Sequence, residues 1–170
     1  IQIEAEYIQG NDLLFYNDTQ SFKVDINLNQ SGFPLETNFP ISSSPIFIDL
    51  NQDLEDEIIF GDYDGVIRVF NKFGEQIVND LYPFETQDQI WGSPAYGDLD
   101  LDGIIDFIFS STDKRLYFFD QLGFKGSVDC QSFLTGTPAI GNIDDDPELE
   151  VIIGGFSGGN NRKIFAFNHD

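Results

Sequence analysis

The chain has 170 residues, 41% of them hydrophobic, so it is long enough to bury a core and too apolar for an intrinsically disordered segment. Its 30 acidic residues against 8 basic ones give a formal net charge of -22, which excludes nucleic acids and anionic membrane surfaces as partners because like charges repel. The apolar runs are shorter than the roughly 18 to 20 residues of a membrane-spanning helix, and the single cysteine, Cys130, excludes an intrachain disulfide and a cysteine-based zinc cluster.

The first predicted element is a partial copy of a repeat, in residues 1–40. Residues 12–17 read DLLFYN, an apolar run closed by an aromatic residue and Asn, and this run matches a strand that recurs three times further along the chain. The chain begins at Ile1, and its first six residues lack the basic start and apolar stretch of a signal peptide. We therefore expect either a mature product or a piece of a longer protein.

Three fuller copies of the repeat follow. They align without gaps as residues 45–61 (PIFIDLNQDLEDEIIFG), 94–110 (PAYGDLDLDGIIDFIFS) and 138–154 (PAIGNIDDDPELEVIIG), with spacings of 49 and 44 residues between their first prolines. Each copy has a Ser-Pro or Thr-Pro start, a short strand, an acidic loop, a strand of β-branched and aromatic residues, a turn, and a strand ending in Phe and Asn or Asp. Outer strands are predicted at residues 76–82 and 125–130.

Four short antiparallel strands, repeated at this period, are typical of the blades of a β-propeller. The predicted fold is all-β, with a partial blade at residues 1–40, full blades at 41–89 and 90–133, and a blade at 134–170 that lacks its outer strand. Three blades and a part cannot close a ring of the usual size, so we expect a segment of a larger propeller. A β-sandwich is the alternative, although it does not require strands that repeat in sequence. The exposed strand edges of such a segment would allow self-association.

The acidic loop between the first two strands of each copy is the candidate metal site. In the second copy, carboxylates occupy loop positions 1, 3, 5 and 9, and Gly103 permits a sharp bend. Alternate residues of a tight loop can turn their oxygens toward one centre, which suits a calcium ion with about six to eight oxygen ligands. The candidate ligands are Asp49, Asn51, Asp53 and Glu57 in the first loop, Asp98, Asp100, Asp102 and Asp106 in the second, and Asn142, Asp144, Asp146 and Glu150 in the third.

The second loop ranks first by sequence. Leu54 and Pro147 replace Gly103 in the first and third loops, and both are poorer choices wherever a positive φ is needed. An EF-hand is excluded, because Phe or Ile stands where its bidentate Glu should be and a strand follows in place of a helix. Magnesium, which prefers smaller octahedral shells, and acidic turns that only keep strand ends soluble are the alternatives. Three loops at one place in a repeat favour calcium over both.

These motifs resemble the FG-GAP repeat family, which includes the propeller of integrin α subunits and related bacterial extracellular repeat proteins. Phe60-Gly61 matches the first motif of the family's name, with degraded copies at residues 109–110 and 153–154, while residues 92–94 (GSP) and 136–138 (GTP) match the second. The resemblance covers residues 41–170, with residues 1–40 as a partial repeat. It implies a propeller of about seven blades working outside the cell or at its surface, and Ca²⁺ held in the second loop by its four Asp side chains and the carbonyl of Ile104.

No catalytic constellation is expected, because His169 is the only histidine and lies in the last three residues. Strand alternation predicts that Phe70, Tyr117, Phe118, Phe119, Phe165 and Phe167 form core between blades, with a carbohydrate-stacking surface as the alternative. Trp91 stands in a loop before a blade, where packing is favoured over display at the ring face, and residues 157–162 read as a long hairpin loop that could contact a partner.

The predicted function is a non-catalytic, secreted module for extracellular recognition, adhesion or scaffolding, with structural calcium and an unidentified protein or carbohydrate partner. The alternative is the non-catalytic propeller portion of a secreted carbohydrate-active or other enzyme. An adjoining catalytic domain would favour that alternative, whereas further repeats and a surface anchor would favour adhesion.

Overall fold

The structure, a computed structural model, describes residues 2–3, 20–21, 28–159 and 162–168, and every regular element among them is a β-strand. Contacts divide the chain into the units Ile1–Gln30 and Ser31–Asp170. In the first unit, β1 (Gln2–Ile3) pairs antiparallel with β2 (Gln20–Ser21). The strand predicted at residues 12–17 lies outside the described residues. The described part of the chain contains no helix of the length and apolarity needed to span a membrane.

The second unit contains three antiparallel sheets whose strands follow one another in chain order. The first sheet consists of β3 (Ile46–Ile48), β4 (Glu57–Gly61), β5 (Val66–Phe70) and β6 (Phe84–Glu85). The second consists of β7 (Ala95–Gly97), β8 (Asp106–Ser110), β9 (Arg115–Asp120) and β10 (Gly123–Asp129). The third consists of β11 (Ala139–Gly141), β12 (Glu150–Phe156) and β13 (Arg162–Phe167), with no fourth strand among the described residues. The predicted all-β class, with blades of four antiparallel strands, is confirmed.

The outer strand of the first sheet does not lie where the sequence predicts it. Residues 76–82 contribute only an isolated bridge between Phe70 and Gln76, and β5 pairs instead with β6. The side chain of Asn79 accepts the backbone N–H groups of Leu81 at 2.9 Å and Tyr82 at 2.7 Å, which folds this segment into a turn. Asn competes with sheet pairing in this way because its side chain mimics a backbone acceptor.

Two hydrophobic cores hold the three sheets together. The core between the first and second sheets includes Ile59, Ile67, Phe107 and Phe119, all fully buried, and the core between the second and third includes Ile108. Consecutive residues of β8 therefore serve opposite faces, as the alternation of a strand requires. The aromatic residues predicted as core between blades lie in or against these two cores. Phe70, Tyr117 and Phe119 are buried in the first core or beside it, and Phe118, Phe165 and Phe167 pack against the second.

The Ser-Pro and Thr-Pro starts of the repeats are linked to one another from sheet to sheet. The backbone N–H of Ser44 donates to Ser93 Oγ at 2.7 Å, and the N–H of Ser93 donates to Thr137 Oγ1 at 3.0 Å. The Ser93 hydroxyl thus accepts from the preceding repeat, while the N–H of Ser93 donates to the next one. This ladder explains the hydroxylated residue before Pro in the second and third copies.

A β-bulge interrupts the pairing of β10 with β9. Phe124 pairs with Phe119 and Gly126 with Phe118, so the intervening Lys125 has no partner of its own on β9. Gly126 adopts a φ of +150°, which residues with a Cβ rarely adopt. Bulges re-aim side chains, and this one directs Lys125 toward the acidic loop of its sheet.

Candidate metal sites in three acidic loops

The three acidic loops (first, residues 49–57; second, 98–106; third, 142–150) each join the first two strands of a sheet. All three are closed by the same hydrogen bond, in which the carboxylate at position 9 accepts the backbone N–H of position 2. This neck bond joins Leu50 to Glu57 at 2.8 Å, Leu99 to Asp106 at 3.0 Å and Ile143 to Glu150 at 2.7 Å. The position 9 residues are nearly fully buried because each begins a central strand of its sheet.

The first loop satisfies its polar side chains internally. Asp49 accepts the backbone N–H groups of Asp53 at 3.1 Å and Leu54 at 2.8 Å, and Asn51 Oδ1 accepts the N–H of Asp53 at 2.9 Å. Asn51 Nδ2 donates to Glu57 Oε1 at 3.3 Å, so both oxygens of that carboxylate have a donor. Within the described residues, no buried side-chain oxygen of this loop lacks a donor.

Burial raises the pKa of Glu57 above its ordinary value. The neck bond from Leu50 opposes this rise, while the charges of Asp53, Asp49 and Asp56 add to it. The ionised form of this buried carboxylate is therefore disfavoured in the first loop unless a cation is nearby.

The first and second loops share a backbone conformation although only one of them has a glycine at position 6. Leu54 has a φ of +69° and Gly103 a φ of +89°, and the position two residues earlier is also left-handed in both loops, at Gln52 and Leu101. The expectation that position 6 needs a positive φ is thus met by Leu54 itself, at a cost of about 1–2 kcal/mol for a residue with a Cβ. No described residue of the third loop has a positive φ, as Pro147 requires.

The second loop gathers three of its four predicted acidic ligands. Asp98, Asp100 and Asp102 each offer a carboxylate oxygen within 4.8 Å of the others. Asp98 Oδ2 accepts the N–H of Gly103 at 3.0 Å, but Asp98 Oδ1 is buried and has no hydrogen-bond partner in the part of the chain that the structure describes. Ile104 donates its N–H to Asp102 at 2.7 Å, and the role of its carbonyl as a ligand stays a prediction.

The fourth predicted ligand of the second loop, Asp106, is held by a lysine. Asp106 Oδ1 accepts Lys125 Nζ at 3.0 Å, and the same ammonium group lies 3.9 Å from Asp120 Oδ2 and 4.0 Å from Asp100 Oδ2. Burial lowers the pKa of Lys125, but the hydrogen bond to Asp106 and the three carboxylate charges outweigh it and leave the pKa raised. The carboxylates of the second loop are therefore already in contact with a cationic side chain of the protein, that of Lys125 on β10.

The third loop brings Asp144, Asp146 and Glu150 together, with one carboxylate oxygen of each within 4.8 Å of the others. Asp146 Oδ1 and Glu150 Oε1 are buried and have no hydrogen-bond partner among the described residues. Partial desolvation, the charges of Asp144, Glu148 and Glu150, and a side-chain hydrogen bond with Glu148 raise the pKa of Asp146. Asn142, the remaining predicted ligand, donates its side-chain N–H to the carbonyl of Asp146.

A hard cation fits the third loop best. A buried carboxylate oxygen with no donor is incompletely solvated even where the second oxygen of the group is hydrogen-bonded, and a cation at that oxygen would compensate for the loss. The third loop has two such oxygens, the second has one, and the described part of the first has none. The donor sets are oxygen only, as Ca²⁺ and Mg²⁺ prefer. By geometry the third loop thus ranks above the second, the reverse of their order by sequence.

Two features of these loops escape the sequence patterns. The neck bond has a visible signal, an acidic residue at position 9 in all three copies, but its partner is a backbone group. Lys125 lies 19 residues from Asp106, and its only signal is a lysine between glycines at 123 and 126 in a very acidic chain.

The other residues singled out in the sequence lie outside the three acidic loops. Trp91 is about half exposed at 46%, its ring lies 5.9 Å from that of Tyr63, and its Nε1–H donates to Gln89 at 2.7 Å. This places Trp91 partly in packing and partly at the surface. His169 lies outside the described residues, as do residues 160–161 of the predicted hairpin loop.

No family model and no curated protein matches the chain. Among solved structures, the chain is similar to the crystal structure of BBS1N in complex with ARL6DN, soaked with lead, with a TM-score of 0.41 and 15% sequence identity. The match covers 80% of this chain and 43% of that chain, so this chain spans less than half the length of that neighbour. The fold described above comes from the strand order and pairing of the three sheets themselves.

Proposed function

We propose that this chain is a calcium-binding, non-catalytic propeller segment of the FG-GAP type, in which calcium ions stabilise the loops between the first two strands of each blade. The observation that carries the proposal is Glu150, a residue only 4% exposed, whose Oε1 has no donor among the described residues and which has a carboxylate oxygen within 4.8 Å of oxygens of Asp144 and Asp146. An ion there would neutralise the group and let buried carboxylates stay ionised at neutral pH.

The role of the ion in this proposal is structural. The residues that would hold it in the third loop are Asp144, Asp146 and Glu150, and those in the second are Asp98, Asp100 and Asp102. Two ions, one in each of these loops, would lower the formal charge from -22 to -18. The ion supplies charge compensation, while the blades present a rigid surface to a protein or carbohydrate partner.

An extracellular setting is part of this proposal. Calcium sites of extracellular modules bind in about the 10⁻⁴–10⁻³ M range. Such sites fill where calcium is plentiful, and we therefore propose that the chain works outside the cell or at its surface, in recognition, adhesion or scaffolding.

The test is thermal unfolding in chelator and across a calcium titration, with magnesium at equal ionic strength as the ion control. A ligand that binds only the folded chain adds about 2.7 kcal/mol at a hundred times its Kd, which corresponds to a rise in Tm of about 5–10 °C for a chain of this size. We expect a saturable rise with calcium and a smaller one with magnesium. No rise, or an equal rise with both ions, would refute the proposal.

A matched pair of variants locates the effect in the third loop. Glu150→Gln removes the buried charge but keeps an oxygen for the neck bond to Ile143, whereas Asp145→Asn removes one exposed charge of the same loop outside the predicted ligand positions. We expect the calcium-dependent rise to shrink in E150Q and to persist in D145N. Equal rises in E150Q and the parent chain would remove the third loop from the proposal.

A further inference from the structure

The cation that the structure places at the second loop is a side chain of the protein. The ammonium group of Lys125 lies within 4.0 Å of carboxylates from three separate elements: Asp100 in the loop, Asp106 at the start of β8 and Asp120 at the end of β9. The contact at 3.0 Å is with the oxygen of Asp106 that the neck bond leaves free. The lysine thus takes an oxygen that the sequence pattern assigns to a metal ion.

The backbone is shaped to deliver this contact. Lys125 is the extra residue of the bulge in β10, between Phe124 and Gly126. The ring of Phe124 packs toward the first sheet, at 4.9 Å from Phe84, so the lysine is directed to the opposite face, where Asp106 lies. A bulge that re-aims one side chain is a feature of the fold and differs from a chance surface pairing.

The three loops differ in which group contacts the second oxygen of the position 9 carboxylate, the one that takes no part in the neck bond. In the first loop the position 9 carboxylate receives the neutral amide of Asn51, in the second the ammonium of Lys125, and in the third no donor from the described residues. No salt bridge reaches the third loop among the described residues. The second loop alone of the three has a basic side chain at its position 9 carboxylate.

We propose that Lys125 is an internal counter-ion of the second loop, which competes with a metal ion for Asp106 and makes this loop a weaker calcium site than the third. The inference rests on the proposed calcium function. Lys125 Nζ lies 3.0 Å from Asp106 Oδ1 and 4.0 Å from Asp100 Oδ2, so its positive charge would repel an ion held by these carboxylates, and the side chain would have to leave Asp106. A cavity of about 400 Å³ beside Lys125, lined also by Phe118, Val128 and Phe167, gives the side chain room to move.

The experiment compares calcium binding by titration calorimetry in the full chain and in three single variants. Lys125→Met removes the charge, Lys125→Arg keeps it, and Lys163→Met removes one charge from an exposed position on β13 that no acidic loop contacts. K163M is therefore the control for the general change in net charge. Unfolding in chelator is measured in parallel, so that loss of folding is seen separately from loss of binding.

In K125M we expect one calcium ion to bind about 5- to 30-fold more tightly, the range for removing a single charge about 4–9 Å from a divalent ion in a water-like dielectric. K163M should change affinity less than about twofold, because charges beyond about 10 Å are screened. K125R should resemble the parent chain. In chelator, K125M should melt about 2–4 °C lower, since three carboxylates lose their counter-ion, and calcium should restore the difference.

Asp98→Asn in the K125M background locates the gain, because Asp98 belongs to the second loop alone. Loss of the gain in this double variant is the expected result, and its persistence would overturn the inference. Saturable calcium binding with equal affinity in K125M and K163M would also overturn it, while leaving the calcium function intact. Absence of calcium binding in every variant, with all of them folded, would overturn both.

Discussion

Gly92 and Gly136 occupy the same position of the repeated Gly-Ser/Thr-Pro motif, yet replacement by Ala should affect them very differently. A Cβ on Gly92 would lie 2.2 Å from the carbonyl oxygen of Gly136, 2.6 Å from its carbonyl carbon and 2.9 Å from the backbone nitrogen of Thr137. A Cβ on Gly136 would meet nothing within 4 Å. The two variants are chemically identical changes in consecutive repeats, so each controls for the other.

The size of the effect follows from what would have to move. All three atoms near Gly92 belong to the backbone of the segment just before β11, so no side chain can rotate away. Relief of a 2.2 Å contact would separate the two segments by more than about 1 Å and break the bond from Ser93 to Thr137. Overpacking of about 1–3 kcal/mol and a lost hydrogen bond of about 1 kcal/mol add to roughly 3 kcal/mol.

Urea denaturation of G92A, G136A and the parent chain checks this expectation, with the free energy of unfolding extrapolated to water. G92A should lose about 3 kcal/mol, corresponding to about 6–12 °C in Tm, and G136A should stay within about 0.5 kcal/mol of the parent. Equal stabilities for the two variants would show that the sheets are not in the close contact on which the repeat geometry depends.

Two further predictions concern ionisation. Because burial raises the pKa of Glu57, the folded chain binds this proton more tightly than the unfolded chain, so the associated stability is fully present below pH 4.5 and is lost as the pH rises through the raised pKa. In chelator, Tm against pH should therefore fall less steeply in Glu57→Gln than in the parent chain over that range, and parallel curves would contradict the assignment. Burial, aided by the charge of Asp129, raises the pKa of the Cys130 thiol to about 11. Alkylation of Cys130 at pH 8 should run about 100-fold slower than that of an ordinary thiol and accelerate as the pH rises. A plateau of the alkylation rate at about pH 8–9 would contradict the raised pKa, and urea-unfolded protein is the control.

Much of the fold could be predicted from the sequence because the same pattern of strands and turns occurs in three aligned copies. The central strands β4, β8 and β12 begin at the acidic residues 57, 106 and 150, where the alignment placed them. Both faces of a strand must be apolar when sheets pack on both sides of it. The consecutive apolar residues of β8, at positions 107–109, show this pattern. Because each repeat is long enough for about four short strands joined by turns, the repeat period predicts antiparallel strands that follow chain order within each sheet.

The exceptions share a physical cause, which is that a single side chain overrides the local pattern. Asn79 turns a strand-like segment into a turn by binding two backbone N–H groups. Leu54 takes a left-handed φ because its N–H is held by Asp49 at 2.8 Å, although its own propensity opposes this conformation. Lys125 reaches its acidic partners across three strands, and no local window of sequence contains that information.

The sequence predicts three acidic loops, and the structure gathers three carboxylates in the second and in the third of them. The relative quality of the loops could not be predicted. Ranking by the glycine at position 6 assumed that backbone strain limits the loops. The geometry instead distinguishes them by what compensates each buried oxygen: an amide at Glu57, a lysine at Asp106 and no described donor at Glu150. That distinction depends on residues beyond the loops, and on burial, which only the packed sheets define.

The neck bond has a consequence for how such repeats can diverge. It closes the loop through one oxygen of the position 9 carboxylate and a backbone N–H, and it is present in loops with Leu54, Gly103 or Pro147 at position 6. A duplicated copy can therefore change at position 6 and still keep its loop closed. We expect substitutions among homologous repeats to be tolerated at position 6 and resisted at position 9, and also at position 1, where the side chains of Asp49 and Asp98 accept backbone N–H groups of their own loops.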